Sequence, residues 1–143
     1  MAIKKTITKE EKILVSDYMV PRNQLITFTP KLSIGEAMQL LVTNNIAGAC
    51  VVNEHDEILG MISEGDCMRK IANSRYYNIP LHDQTVDEYM ETIIETINGD
   101  TNIFDAANQF CTSRRNRFPV ADGNKIIGQI SRKDVLKAAL EMK

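Results

Sequence analysis

The sequence lacks most of the residues that indicate a metal centre, a disulfide scaffold or a redox pair. Its 143 residues include no tryptophan, two histidines and three cysteines, and no two cysteines have CxxC spacing. A disulfide framework would leave one cysteine over, and a zinc site would lack paired ligands. We therefore interpret Cys50, Cys67 and Cys111 as reduced, packed thiols of a reducing compartment, and we predict no bound metal.

Long apolar runs and an excess of charge of one sign are also missing. No run approaches the roughly 18–20 apolar residues of a membrane helix, and the basic N-terminus lacks the apolar core of a signal peptide. With 17 Lys and Arg against 19 Asp and Glu, the net charge of −2 offers no general attraction to nucleic acid or anionic lipid. We expect a cytoplasmic chain that binds neither membranes nor nucleic acid.

The chain does contain an internal repeat. Residues 15–71 align with 86–139, and identical residues are densest near the end of each repeat. The identical pairs there are Ile58/Ile126, Gly60/Gly128, Ile62/Ile130, Ser63/Ser131 and Asp66/Asp134. The predicted organisation is an N-terminal segment (1–14), a first repeat (15–72), a connector (73–85) and a second repeat (86–143).

Each repeat predicts the element order β-α-β-β-α, and hence an α/β fold. Ser33-x-x-Glu36 and Asn102-x-x-Asp105 are typical helix starts, because a polar N-cap is followed by a carboxylate three residues later. A repeat of about 55 residues buries too little apolar surface to be stable alone. We therefore expect the repeats to pack as a pseudo-two-fold module with related clefts where they meet. The predicted strands are 25–29, 49–52 and 58–62 in the first repeat and 93–97, 118–121 and 125–130 in the second.

The most strongly repeated element is Gly-x-Ile-Ser-x-x-Asp, at 60–66 and 128–134. It places a serine at a helix N-terminus, where free N–H groups and the helix dipole favour an anion. The serine hydroxyl can donate to a phosphate oxygen, and the aspartate can accept from both hydroxyls of a ribose. The alternative is a capping box that satisfies only the helix's own donors. On the motif alone, capping is the favoured interpretation. A capping box prefers Glu or Gln at the third position, so the shorter Asp in both repeats moves the balance modestly toward a ligand.

Residues 15–140 as a whole resemble a tandem pair of CBS domains, together called a Bateman module. The resemblance implies a stand-alone regulatory module that binds adenosine-containing ligands such as AMP, ADP, ATP, S-adenosylmethionine or dinucleotides, and that requires no cofactor. The matching segments are Val-Ser-Asp-Tyr-Met (15–19), Val-Asp-Glu-Tyr-Met (86–90), Thr-Phe-Thr-Pro (27–30), Ala-Cys-Val-Val-Asn (49–53), Phe-Pro-Val-Ala-Asp (118–122) and the two Ile-Ser-x-x-Asp endings.

The resemblance also implies two ligand sites, each combining the Ser-x-x-Asp ending of one repeat with residues of the other repeat. The aspartate would bind the ribose, the serine the phosphate, and apolar residues with backbone amides the adenine. One implied site consists of Leu25, Ile26, Thr27, Ile46, Ala47, Gly48, Ala49, Ile130, Ser131, Lys133 and Asp134. The other consists of Ile62, Ser63, Asp66, Ile94, Thr96, Arg115, Asn116, Arg117 and Phe118.

Departures from the family pattern and an uneven charge predict that the two sites are not equal. Cys50 stands in place of the usual proline, Gly48 in the place that Arg117 has in the second repeat, and Gly99 in the place of Pro30. Basic residues beside a phosphate site favour a nucleotide over S-adenosylmethionine, whose sulfonium is positive. A nucleic-acid patch and a solvated charged turn are the alternatives. The basic residues confined to the second repeat are Arg114, Arg115, Arg117, Arg132 and Lys133.

Three classes of function compete: a ligand sensor, an enzyme and a structural scaffold. Neither histidine lies in a motif and no cysteine has an activating partner nearby in sequence, so we expect no catalysis. We interpret the chain as a sensor acting on a separate, unidentified protein. The alternative is a scaffold that dimerises with its sites empty. The resemblance implies a homodimer, and residues 8–11 predict a helix start that packs on a partner or on its own domain. Tyr76, Tyr77 and Asn78 either cover a cleft or form a surface turn.

Overall fold

The structure, a computed structural model, describes residues 13–77, 80 and 83–141 and divides into two compact units. Unit 1 comprises Met1–Leu25 with Glu95–Lys143, and unit 2 comprises Ile26–Ile94. The helix start predicted at residues 8–11 and the connector residue Asn78 lie outside the described residues. The α/β prediction is confirmed, since each unit has a sheet with helices packed against it.

Among its described residues, unit 1 has a four-stranded sheet and three helices. The strands are β1 (Val20–Pro21), β5 (Ile97–Asn98), β6 (Arg117–Asp122) and β7 (Lys125–Ser131), and the helices are α1 (Val15–Tyr18), α4 (Ile103–Thr112) and α5 (Arg132–Glu141). The order is β1-β7-β6-β5; β1 and β6 are antiparallel to β7, and β5 is parallel to β6. A short 3₁₀ turn, Arg22–Gln24, follows β1.

The described residues of unit 2 form a similar arrangement with three strands and two helices. Its strands are β2 (Thr27–Phe28), β3 (Gly48–Val52) and β4 (Ile58–Ser63), and its helices are α2 (Ile34–Thr43) and α3 (Glu64–Tyr77). The order is β2-β3-β4, with β2 parallel and β4 antiparallel to β3. A 3₁₀ turn at Val86–Glu88 belongs to this unit.

The predicted helix starts are confirmed. The Ser33 hydroxyl accepts a hydrogen bond from the backbone N–H of Glu36, and the Asn102 side chain accepts one from that of Asp105. These bonds satisfy donors that the first turn of a helix otherwise leaves free. The predicted strand over 93–97 is wrong for most of its length, because β5 begins only at Ile97 and Ile93 is 84% exposed.

Each unit has its own apolar core beneath its sheet. In unit 1, Phe110 of α4 stacks against Phe118 of β6 with ring centroids 4.4 Å apart. In unit 2, Phe28, Ile34 and Ile62 form the corresponding centre. Of the three cysteines, Cys50 and Cys67 are buried, but Cys111 is exposed, so its interpretation as a packed thiol is wrong.

The first helical turn of each sequence repeat does not pack in the unit that contains the rest of that repeat. It packs in the unit whose sheet comes mainly from the other repeat. In unit 1, the N–H of Val15 donates to the carbonyl of Thr101 at 2.8 Å. In unit 2, the N–H of Val86 donates to the carbonyl of Leu32, also at 2.8 Å. Both valines are fully buried. The sequence repeats and the compact units therefore divide the chain at different points.

No helix within the described ranges is both long and apolar enough to cross a membrane.

Candidate functional site

Both Ser-x-x-Asp endings lie where a strand runs directly into a helix. Strand β4 ends at Ser63 and α3 begins at the next residue; β7 ends at Ser131 and α5 begins at the next residue. The aspartates, Asp66 and Asp134, lie in the first turn of these helices. The junction therefore presents a hydroxyl, a carboxylate and the positive end of a helix dipole at one place in each unit.

In both endings, the serine and the aspartate form a reciprocal capping box. The N–H of Ser63 donates to Oδ2 of Asp66 at 2.8 Å, and the N–H of Asp66 donates to the Ser63 hydroxyl at 3.3 Å. The corresponding distances between Ser131 and Asp134 are 2.9 and 3.2 Å. The capping alternative is thus realised in both repeats, and it uses one oxygen of each carboxylate.

The other carboxylate oxygen, Oδ1, distinguishes the two endings. In unit 2, a guanidinium nitrogen of Arg69 donates to Oδ1 of Asp66 at 2.6 Å. The residue in the place of Arg69 in the second repeat is Lys137, and among the described residues no cation pairs with Asp134. The Asp134 carboxylate therefore keeps an oxygen for an external donor, whereas Asp66 has both oxygens engaged.

The strand beside each ending brings further predicted site residues close to it. Gly48 pairs with Ser63 and Ala49 with Ile62 in unit 2, and the N–H of Glu64 donates to the carbonyl of Ala47 at 3.0 Å. A Cβ on Gly48 would lie 2.9 Å from the carbonyl oxygen of Ile62, so the strand requires a glycine here.

Unit 1 repeats this arrangement with larger side chains. Arg117 pairs with Ser131 and Phe118 with Ile130, and the N–H of Arg132 donates to the carbonyl of Asn116 at 3.1 Å. Directly paired residues of adjacent strands share a face of the sheet, so Arg117 lies beside Ser131.

The remaining predicted site residues lie on other elements of the units. Ile26 and Thr27 are in unit 2 with Ile94, whereas Leu25 and Thr96 are in unit 1. The carbonyl of Thr96 accepts from the Gln109 side chain at 3.1 Å. Within each unit, the structure thus brings the ending together with the neighbouring strand of the same repeat. The assignment of these residues to two sites stays a prediction.

An apolar cavity of about 490 Å³ lies between α2 and α3 in unit 2. Two predicted adenine contacts, Ile46 and Ala47, line it with Cys67. Burial raises the pKa of the Cys67 thiol, and the carboxylates of Asp66 and Glu64 raise it further, so the thiol is protonated at neutral pH. Its chemistry is that of an apolar wall, not of a nucleophile.

The basic residues of the second repeat are not equally available to a ligand. The guanidinium of Arg132 donates to the carbonyls of Arg115 at 3.0 Å, Phe110 at 2.9 Å and Ser113 at 3.1 Å. These carbonyls lie at and just beyond the end of α4, where a cation stabilises the helix. Arg132 thus has a structural role, and the prediction that it contributes to a basic ligand patch is not supported by its contacts. Arg114 and Lys133 are exposed.

Sequence reasoning missed a buried polar cluster in unit 2. Lys70 of α3 is fully buried, and its ammonium donates to the side-chain oxygen of Gln84 and lies 5.9 Å from the ring of Tyr89. The Tyr89 hydroxyl donates to the same oxygen at 2.9 Å and accepts from Asn73 at 3.3 Å. Lys70 follows the buried Cys67 at helical spacing and aligns with an alanine in the second repeat, and these are the signals that could have found it.

The glycine of each Gly-x-Ile-Ser-x-x-Asp motif contacts a methionine of the other sequence repeat, so the same contact occurs once in each unit. A Cβ on Gly60 would lie 2.6 Å from the Met90 sulfur, and one on Gly128 would lie 2.5 Å from the Met19 sulfur. Each glycine lets the Tyr-Met segment of the other sequence repeat lie directly against its strand. The glycine of the motif is therefore required by packing, and its presence does not depend on a ligand.

Within the part of the chain that the structure describes, no group of three or more His, Cys, Asp or Glu side chains is placed to hold a metal ion.

The family model for the CBS domain matches residues 15–73 and 86–141. Two chloroplastic CBS domain-containing proteins of Arabidopsis thaliana, CBSX2 and CBSX1, are 26% and 27% identical over 90% of this chain. The chain spans 64% and 65% of the length of these two relatives.

A crystal structure of CBSX2 in complex with AMP has the same fold. It aligns with a TM-score of 0.79 and 29% sequence identity, over 90% of this chain and 97% of that one. The family model and the shared fold agree with the resemblance found in the sequence. The chain belongs to the CBS-domain family, and each of its two sequence repeats is one CBS domain.

Proposed function

We propose that this protein is a regulatory module that binds an adenosine nucleotide at its Ser-x-x-Asp endings. The observation that carries the proposal is the second ending, where capping uses Oδ2 of Asp134 and no cation of the described residues pairs with the carboxylate. The AMP complex of CBSX2 supports the same class of ligand. Nothing in this role requires a cofactor or a catalytic step.

The chemistry of the second ending suits a ribose. The hydroxyls of a cis-diol are hydrogen-bond donors, and a carboxylate oxygen with a free lone pair accepts from them. The ionised acceptor makes these bonds about twice as strong as bonds between neutral groups. The Asp134 carboxylate is held in place by Ser131, so it needs no rearrangement before it binds the sugar.

The phosphate preference follows from Arg117 and Lys133. Arg117 lies beside Ser131 across the β6–β7 pair, and Lys133 lies in the first turn of α5. Both cations favour a ligand with negative charge, so we propose AMP, ADP or ATP ahead of S-adenosylmethionine. Arg132 is not part of this proposal, since its guanidinium is bound to backbone carbonyls.

Titration calorimetry tests the proposal on protein stripped of co-purified nucleotide. We expect saturable micromolar binding of AMP or ATP and weaker binding of S-adenosylmethionine. Asp134→Ala should lose about tenfold or more in affinity, because hydrogen bonds to a charged group contribute about 1.5–3 kcal/mol. The matched control is Asp105→Ala, because Asp105 shares a cap with Asn102 but belongs to no Ser-x-x-Asp ending. Unchanged binding in Asp134→Ala, or equal losses in the two variants, would contradict the proposal.

The completed capping boxes favour a second candidate, a scaffold that binds proteins with its nucleotide sites empty. In that case Ser63, Ser131 and their aspartates serve only to start helices. The absence of heat with AMP, ATP, NADH and S-adenosylmethionine, and of any thermal shift, would favour this candidate.

We also propose that the protein is a homodimer and that it acts on a separate protein partner. The last helices expose apolar side chains, with Met68 of α3 62% exposed and Leu136 and Leu140 of α5 62% and 77% exposed. Association covers such side chains because water is released from apolar surface. Light scattering of the wild type and of Leu140→Glu tests this: the wild type should have twice the chain mass, and the variant should dissociate. The cytoplasmic location stays a prediction.

A further inference from the structure

The two Ser-x-x-Asp endings differ most in what occupies the outer oxygen of the aspartate. A guanidinium nitrogen of Arg69 lies 2.6 Å from Oδ1 of Asp66, whose side chain is only 15% exposed. A hydrogen bond to an ionised carboxylate is stronger than one between neutral groups. Lys137, the residue aligned with Arg69, makes no ion pair with Asp134 within the described ranges.

Arg69 also connects the ending to a segment far away in the sequence. The same guanidinium nitrogen donates to the backbone carbonyl of Tyr89 at 2.9 Å, and the guanidinium lies 5.7 Å from the centre of the Tyr89 ring. Two residues later, Glu91 forms backbone hydrogen bonds with Met61 of β4 at 2.9 and 2.8 Å. Arg69 therefore joins the Asp66 carboxylate to the segment that covers the strand leading into this ending.

We propose that Arg69 sets the ligand affinity of the first ending, because it competes with the ribose hydroxyls of an adenosine ligand for Oδ1 of Asp66. Ribose hydroxyls that donate to Asp66 compete with Arg69 for the acceptor positions of Oδ1. A ligand at Asp134 meets no such competitor among the described residues. The first ending is thus the weaker of the two. The inference rests on the proposed function, since both concern the aspartates of the endings.

The fold does not depend on Arg69, which makes the inference testable by substitution. The segment around Tyr89 is held independently by Gln84, which accepts from the buried Lys70 and from the Tyr89 hydroxyl. The backbone hydrogen bonds between Met61 and Glu91 hold its other end. The guanidinium side chain itself is 60% exposed, so its removal leaves no cavity in the core.

The experiment measures the first ending alone. In an Asp134→Ala background, only Asp66 remains to bind a ribose, and calorimetry with AMP reports its affinity. We expect Arg69→Ala in this background to bind AMP about two- to fivefold more tightly, the range that an ion pair of this exposure supports. Lys137→Ala is the matched control, because it removes a cation from the same helical position of the other repeat, and it should leave the affinity unchanged.

Adenosine separates competition for the carboxylate from contact with the phosphate. It carries the same diol without a phosphate, so Arg69→Ala should also tighten adenosine binding. If Arg69→Ala leaves the affinity for both ligands unchanged or weakens it, the inference is wrong, even though the wild type binds AMP. If Arg69→Ala weakens AMP binding but not adenosine binding, Arg69 is a phosphate ligand and the competition is refuted. If the wild type itself does not bind AMP, the proposed function fails and this inference fails with it.

Discussion

Substitution of Gly128 by alanine tests how the leading segment of the first repeat, residues 15–20, is held against the sheet of unit 1. The added Cβ would lie 2.5 Å from the sulfur of Met19 and 2.6 Å from the carbonyl oxygen of Val20. Both distances are far below van der Waals contact, so both the Met19 side chain and strand β1 must move. The side chain can rotate away, but the Val20 carbonyl belongs to β1, which pairs with β7 at this point.

The cost follows from these two contacts. Overpacking of a well-packed site destabilises a protein by about 1–3 kcal/mol. For a chain of this size, a change of 1 kcal/mol moves the melting temperature by roughly 2–4 °C, so Gly128→Ala should lower it by roughly 2–12 °C. Combining it with Met19→Ala removes the clash with sulfur but not the clash with the carbonyl, so the double variant should not regain the stability of Met19→Ala alone.

The assay is thermal unfolding followed by circular dichroism, and the matched control lies in the other copy of the motif. Gly65 is a helical glycine whose added Cβ would meet only the Ser63 hydroxyl, at 3.7 Å. Gly65→Ala should therefore stabilise the protein by about 0.5–1 kcal/mol, as alanine does in a helix. The packing argument is refuted if Gly128→Ala melts at or above the wild-type temperature.

Three further predictions concern contacts outside the endings. Arg132→Ala removes the donors to the carbonyls at the end of α4 and should destabilise the protein by about 1–2 kcal/mol in urea unfolding, whereas Lys133→Ala should have no such effect. A hydrogen bond from the Thr85 hydroxyl, and after it one from the Lys31 ammonium, lowers the pKa of Asp87 below its usual 3.8. The stability lost in Asp87→Asn should therefore be constant at neutral pH and should disappear as the pH falls below about 4 through the lowered pKa, which acid titrations of both proteins would show. An excised fragment of residues 26–94 should unfold cooperatively, whereas residues 15–72 should not, because only the former includes Val86 and its contact with Leu32.

The order of elements could be predicted from the sequence because it depends on local signals. Ser33 and Asn102 start helices through bonds to residues three positions away, and a pattern of that range is visible in the sequence. The strand-to-helix junctions at Ser63 and Ser131 are equally local. These elements were found because the same signal occurs twice, in aligned positions.

The partners of exposed and charged side chains could not be predicted in this way. A count of basic residues does not reveal that Arg132 reaches back to carbonyls of α4, because that contact joins elements separated by a strand pair. Nor does it indicate that Lys70 is buried, since a lysine on a helix is usually solvated. The packing of the start of each sequence repeat with the other repeat was also missed, since the bonds from Val15 to Thr101 and from Val86 to Leu32 join residues that are distant in the sequence.

Each sequence repeat begins with a leading segment, residues 15–20 or 86–91, that packs in the same unit as the other repeat's final helix. This arrangement gives a physical reason for the two endings to differ. The final helix of each repeat, α3 or α5, contacts the tyrosine of a leading segment, and the residues at that contact differ between the two repeats. In unit 1, Tyr18 donates to Glu141 at 3.0 Å, whereas in unit 2 Tyr89 accepts from Asn73, the residue aligned with Glu141. One helical turn closer to the ending, unit 2 has Arg69 and Lys70 where unit 1 has a lysine and an alanine. Of these two cations, Arg69 donates to the carboxylate of Asp66, which would bind a ligand. Capping and close packing therefore keep the backbone geometry of the two endings alike. Their ligand affinities can still differ, because the helix face that contacts the leading segment carries different side chains in the two repeats.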